Sequence, residues 1–267
     1  MRSGRFHRCE NGLVTSRGYT DWSGLGLFAR YAYPPNERGY CGPADSGMLG
    51  SYRFGGEIDE GLVDVACSFD GPLPYLELIA RANGCSEPFS LEVMEAYWVG
   101  NGLLEAADMG DVDAGAAADV KAASGLDWPG MAKAAPGAKP HHSFHVFETY
   151  PWSDLLHTGR PEPLEILDQC RIRWGRVVDV SGNDVLVESQ HLHWDGTSLS
   201  LGNPITETAR LAEGDLDAIG GIETGDWLAL HWAWVCDKLS PERLADLERY
   251  SGDQLILTNH RLAAGKL

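Results

Sequence analysis

Cys170-Arg171-Ile172-Arg173-Trp174-Gly175-Arg176-Val177-Val178-Asp179-Val180 is the stretch from which the fold can be read. Its apolar residues recur in short runs up to a turn written Ser181-Gly182-Asn183-Asp184, after which Val185-Leu186-Val187-Glu188 reads as a second strand. Two such runs joined by a Gly/Asn/Asp turn predict a β-hairpin. Further on, Gly225-Asp226 turns into Trp227-Leu228-Ala229-Leu230-His231, another apolar strand. The region closes on a predicted amphipathic helix, short in length. Ser240 is placed to cap it, Pro241 fits its first position, and Leu239 with Leu244 forms a hydrophobic staple. Several short strands with turn signals and one terminal helix describe a small β-barrel.

Working back toward the N-terminus, periodicity changes from two to nearly four. Trp22, Leu25, Leu27, Phe28 and Tyr31 predict a helix over 22–33, stopped by Pro34-Pro35 because a residue before proline is pushed out of the helical region. Residues 73–83 predict a helix closed by Asn83-Gly84, and 88–107 a longer one weakened by Gly100 and Gly102. An irregular leader is expected over 1–20, and a short helix around Ala114 to Ser124. The expected class is therefore α+β, with a mostly helical domain over 1–162 and a small β-barrel with a C-terminal helix over 163–267. The junction falls in the proline-bearing stretch His157 to Pro163.

A length of 267 residues suits two domains, and a formal charge of −18 sets the partners that can be expected. Across Gly55 to Asp119, Arg81 is the one basic residue in a run of acids. Such a chain is a poor match for nucleic acid or anionic lipid, which both need positive charge from the protein. Without an 18-residue apolar run or an apolar leader, the expectation is a cytoplasmic protein with no membrane segment. Six cysteines without a Cys-x-x-Cys pair predict thiols rather than a zinc ribbon or a disulfide framework.

The order of motifs in the barrel resembles the HypC/HupF-type [NiFe]-hydrogenase maturation chaperones. The match runs from Cys170 through Gly175-Arg176-Val177-Val178 and Gly225-Asp226-Trp227-Leu228-Ala229-Leu230-His231 to Lys238-Leu239-Ser240 and a helix. In that family the cysteine is exposed at the mature N-terminus, whereas Cys170 is internal, and Trp174 stands where a proline usually precedes the glycine. The resemblance implies an OB-like barrel and an iron fragment, Fe(CN)2(CO), held through the thiolate of Cys170 with His231 nearby. It implies partners among the hydrogenase large subunit and other maturation factors, and a carrier rather than an enzyme. A thiolate is a soft ligand suited to low-spin iron. The same two residues could instead serve a thiol-dependent enzyme as nucleophile and base, or belong to an accessory subunit without chemistry.

Three further groups carry weaker signals. His141-His142-Ser143-Phe144-His145 would put His141 and His145 on one helix face, as in zinc sites, although Val146-Phe147 favours a strand that would separate them. Cys41 lies in the loop Tyr33 to Ser46, dense in Pro, Gly and Tyr, which should be rigid and could face the barrel so that the thiol meets Cys170, to share a ligand or form a redox pair. His191 and His193 sit at strand spacing. No Gly-x-Gly-x-x-Gly, phosphate loop or Gly-x-Ser-x-Gly elbow is written in the chain.

Overall fold

The computed structural model describes residues 22–55, 57–69, 71–109, 134–212 and 214–265. The expected leader over 1–20 and the helix around Ala114 to Ser124 lie outside these residues. The chain divides into two compact units, Met1–Pro140 and His141–Leu267. The division falls some twenty residues before the stretch 157–163 that composition favoured. Residues 141–162 thus belong with the barrel.

The first unit is helical: α1 (Ser23–Glu37), α2 (Gly47–Arg53), α3 (Glu60–Cys67), α4 (Leu73–Ala82) and α5 (Leu91–Trp98), then a 3-10 turn at Gly102–Ala106. Aromatic rings fill its core. Tyr31 stacks on Trp98 at 5.3 Å, Phe28 meets Phe69 edge-on at 5.1 Å, and Tyr75 stacks on Tyr97 at 5.5 Å. Gly24 lets α1 approach closely, since a Cβ there would lie 2.1 Å from the Phe89 carbonyl oxygen.

Helix α1 does not stop at Pro34-Pro35, as expected, but runs through both to Glu37. All residues from Tyr31 to Asn36 are buried, so packing outweighs the local preference of a pre-proline residue. The turn is also bridged from outside the prolines. The Tyr33 hydroxyl donates to Glu37 at 3.1 Å, and burial followed by this carboxylate pushes the phenol up to about 12. The loop beyond is tied down as its composition suggested: Asn36 donates to the carbonyls of Cys41 at 2.7 Å and Pro43 at 2.8 Å. The 88–107 segment breaks at Gly100, which adopts φ 102°, so one predicted helix becomes α5 and the 3-10 turn.

The second unit opens with α6 (His142–Phe144), a π-helical turn (His145–Thr149), α7 (Trp152–Leu155) and α8 (Pro161–Cys170). Five strands follow: β1 (Arg173–Ser181), β2 (Asp184–Trp194), β3 (Leu199–Arg210), β4 (Trp227–His231) and β5 (Trp234–Leu239). They form a closed barrel in the order β1-β2-β3-β5-β4, a five-stranded OB-type arrangement. Between β3 and β4 sits α9 (Asp215–Ile219), and α10 (Pro241–Ala264) ends the unit. The α+β class with a small barrel and terminal helix is what the structure has.

The barrel interior is Val177, Val185, Val187, Ala209, Leu211, Leu228, Leu230 and Val235. Closure needs Gly175 on β1: a Cβ there would meet Val187 Cβ at 3.0 Å and Leu230 Cδ1 at 3.2 Å. Gly182 takes φ 62° in the β1–β2 turn, as a two-residue hairpin requires.

Ser240 caps α10 as expected, its hydroxyl accepting the Arg243 N–H at 3.2 Å. At 24 residues the helix is far longer than its sequence signal suggested. Its far end is fastened to the helical entry of the unit. Glu148 accepts from Thr258 at 2.6 Å and pairs with Arg261 at 2.6 Å, and the Asn259 side chain bonds both the N–H and the carbonyl of Leu199 at 2.8 and 2.9 Å.

Gly175→Ala should destabilise the barrel by roughly 1–3 kcal/mol, the usual cost of forcing a methyl group into a filled interior. A urea melt of the variant would show this as a lower midpoint at unchanged slope. An unchanged midpoint would mean that the β1–β2–β4 packing is looser than described.

Candidate functional site

Cys170 is the last residue of α8, and Arg171 and Ile172 separate it from β1. Both of its neighbours are fixed. On one side, the carbonyl of Gln169 accepts the N–H of Trp232 at 2.9 Å. On the other, Arg171 is buried and donates from Nε and Nη2 to Asp168 at 3.2 and 3.1 Å. Burial lowers Arg171 to about 10, which still leaves it charged at neutral pH. The Cys170 side chain is half-buried and packs against the cluster of Phe147, Leu167 and Leu192.

His142 joins the two sequence candidates. Its Nε2 lies 2.9 Å from the Cys170 carbonyl oxygen. A carbonyl can only accept, so the imidazole carries its proton on Nε2 and keeps Nδ1 as an acceptor. The same ring meets His231 edge-on at 5.2 Å between centroids and stacks near His145 at 6.0 Å. His231, the last residue of β4, is fully buried. Three imidazoles and the backbone of Cys170 therefore form one neighbourhood within the second unit.

The hairpin beside His231 is strained and braced. Trp232 has φ 54°, the one positive φ among the described non-glycine residues, and such a conformation is costly for a bulky side chain. Its N–H is held by Gln169 and its carbonyl accepts Arg173 Nη2 at 2.6 Å. Arg173 also donates to Glu207, which receives the Ser189 hydroxyl as well.

The histidine cluster differs from its expected form. Residues 142–149 are helical, not strand, because Val146 and Phe147 are buried in the cluster with Leu167 and Leu192. His141 lies outside the helix as its N-cap, accepting the Ser143 N–H at 3.2 Å on Nδ1, and its ring lies near Tyr250. The pair that shares a face is thus His142 and His145, not His141 and His145. His191 and His193 also part company: a bulge between Gln190 and Leu192 leaves His193 exposed, while His191 Nδ1 lies 2.5 Å from Asp168. Cys41 belongs to the first unit, half-buried in the loop held by Asn36. Cys67 is disulfide-bonded, which overturns the expectation of thiols throughout. Cys41, Cys85, Cys170 and Cys236 are not in disulfides.

Among the described residues, no three His, Cys, Asp or Glu side chains are grouped so that they could hold a metal ion. The neighbourhood supplies instead one half-buried thiol and neutral imidazoles. Burial lowers His142 to about 4; burial, helped by the neighbouring His142, lowers His145 to about 3. Sequence reasoning named Cys170 and His231 but gave His142 no separate role, and it missed the Asp168–Arg171 and Arg173–Glu207 pairs. The three-residue spacing of Asp168 and Arg171 at a helix end was the available signal.

The two lowered histidines give a pH test. Unfolded, each binds a proton near pH 6.5; folded, each does so only near 4 and 3. The unfolded state therefore holds more protons between those values, so stability is fully present above pH 6.5 and falls as pH drops through that window. Each histidine contributes a slope on the order of 1.4 kcal/mol per pH unit inside the window. Denaturant melts of His142→Gln and His145→Gln should each show a shallower acid slope than the parent. Parallel slopes would mean that the rings are hydrated.

The sequence matches, over residues 20–265, a family described as DUF6390, a family of unknown function. No curated protein and no solved structure matches the chain. The match spans both units, helical and barrel-bearing, and so the chain belongs to the DUF6390 family.

Proposed function

We propose that this protein is a hydrogenase-maturation accessory protein, holding or delivering an iron fragment of the Fe(CN)2(CO) kind through the thiolate of Cys170. The observation that carries this reading is the His142 bridge. His142 hydrogen-bonds the Cys170 backbone and packs on His231, so the cysteine and the histidine matched by the motif order share one neighbourhood in the barrel-bearing unit. In this reading the half-buried Cys170 contacts the cargo. His231, fully buried, acts through His142 by fixing the orientation of that ring. A neutral imidazole is also the form that can serve as a second ligand or accept the thiol proton. The partners follow from the cargo: a hydrogenase large subunit, or another factor in the same assembly. The acidic surface suits protein rather than nucleic-acid partners. No helix among the described residues is long and apolar enough to cross a membrane, and the proposed place of action is the cytoplasm.

Protein purified from cells making a [NiFe]-hydrogenase should contain iron and show infrared bands of bound CO and cyanide. Cys170→Ala should remove both while costing about 1 kcal/mol or less in stability, because little buried area is lost with a half-buried thiol. His231→Ala should weaken loading roughly 10- to 100-fold, as expected of a residue that orients a ligand. A Cys170→Ala protein that still carries the bands, or that melts far earlier while still supporting hydrogenase activity, would make Cys170 a packing residue and remove the proposal.

A further inference from the structure

Gly252 lies in the interior of α10, where glycine disfavours a helix because it gives up the most chain freedom. The protein itself supplies no steric reason for it. A Cβ built at Gly252 would meet nothing within 4 Å, and the backbone there is not in the left-handed region. The missing side chain instead leaves room in a pocket of about 260 Å³ between α10 and the barrel, with Phe147, Trp174, Leu192, Leu201 and Leu255 as its apolar walls.

The polar groups of the pocket are few and of both signs. Arg171 is 3% exposed and lies 5.7 Å above the Trp174 ring. Its hydrogen bonds to Asp168 and to the Gln190 carbonyl leave from Nε and Nη2, and Nη1 carries none of them. A guanidinium has five N–H donors, so Arg171 has donors to offer beyond these three bonds. Gln190 donates its amide N–H to Gly202 at 2.8 Å, which leaves its side-chain oxygen as an acceptor. Glu248, exposed on α10, forms the acidic part of the rim. Because Asp168 already neutralises Arg171, a simple anion would face the charge of Glu248 without compensation. A ligand that fits must bring an oxygen acceptor, an N–H donor or ammonium, and an apolar body.

We propose that this pocket binds a small apolar amino acid or its amide. The ligand oxygen accepts from Arg171 Nη1, the nitrogen is held by Glu248 and Gln190, and the side chain lies against Trp174 and Phe147 in the space left by Gly252. The site does not use Cys170 and does not rest on the iron-carrier reading.

Calorimetric titration of the full-length protein with L-phenylalanine and L-leucinamide tests this, with glycine and 3-phenylpropionate as controls. Saturable binding of the first two is expected, with glycine and 3-phenylpropionate at least tenfold weaker. Gly252→Leu should abolish binding, and the milder Gly252→Ala should weaken it while the free protein melts no lower than the parent. Glu248→Gln should weaken phenylalanine about tenfold, the effect of losing one charge-assisted contact. Absence of saturable binding to either ligand would overturn the proposal. So would equal binding of 3-phenylpropionate, or binding that Gly252→Leu and Gly252→Ala leave unchanged.

Discussion

Arg173 is the residue on which the second unit depends. It is 1% exposed and carries a charge that would be very costly to bury alone. Its partners come from three places in the chain: Gln169 at the end of α8, Glu207 on β3, and the carbonyl of Trp232 in the β4–β5 hairpin. The bonds from its two Nη atoms tie the helix end, a wall of the barrel and the strained hairpin together. Cys170 lies between the segments so fixed, with its side chain packed on the cluster of Phe147, Leu167 and Leu192.

Local chemistry made the barrel readable. Gly182-Asn183 turns, the valines of β1 and β2, and Ser240-Pro241 at a helix start each specify their conformation within a few residues. Elements set by packing at a distance were read less well. Pro34-Pro35 stays helical because buried neighbours hold it, and Val146-Phe147 joins a π-helical turn because Leu167 and Leu192 receive it. Strand propensity at 146–147 was a true local signal that lost to tertiary burial. The same limit explains why residues 141–162 read as part of the first domain. Their attachment is made by Thr258 and Arg261, more than a hundred residues away.

The candidate site shows the same division. Cys170 and His231 were legible from motif order, because each sits beside a strand with a recognisable pattern. The role of His142 was not, since hydrogen-bonding the carbonyl of Cys170 requires α6 to be laid against the end of α8. His141 and His145 were paired by counting along an assumed helix. Helix capping by His141 shifts that pairing by one residue and brings His142 toward His231. A one-residue change in where a helix begins thus decides which imidazole meets the barrel.

The central claim is that His142 links Cys170 to His231 as a neutral ring with its proton on Nε2. Long-range proton–nitrogen NMR of the histidine rings reports tautomer and charge directly. The account predicts a His142 ring protonated on Nε2 alone, unchanged from pH 7 down to about 5, with its Nε2 proton slowed in exchange by the Cys170 carbonyl. A ring that carries its proton on Nδ1, or one that titrates near pH 6.5, would contradict it.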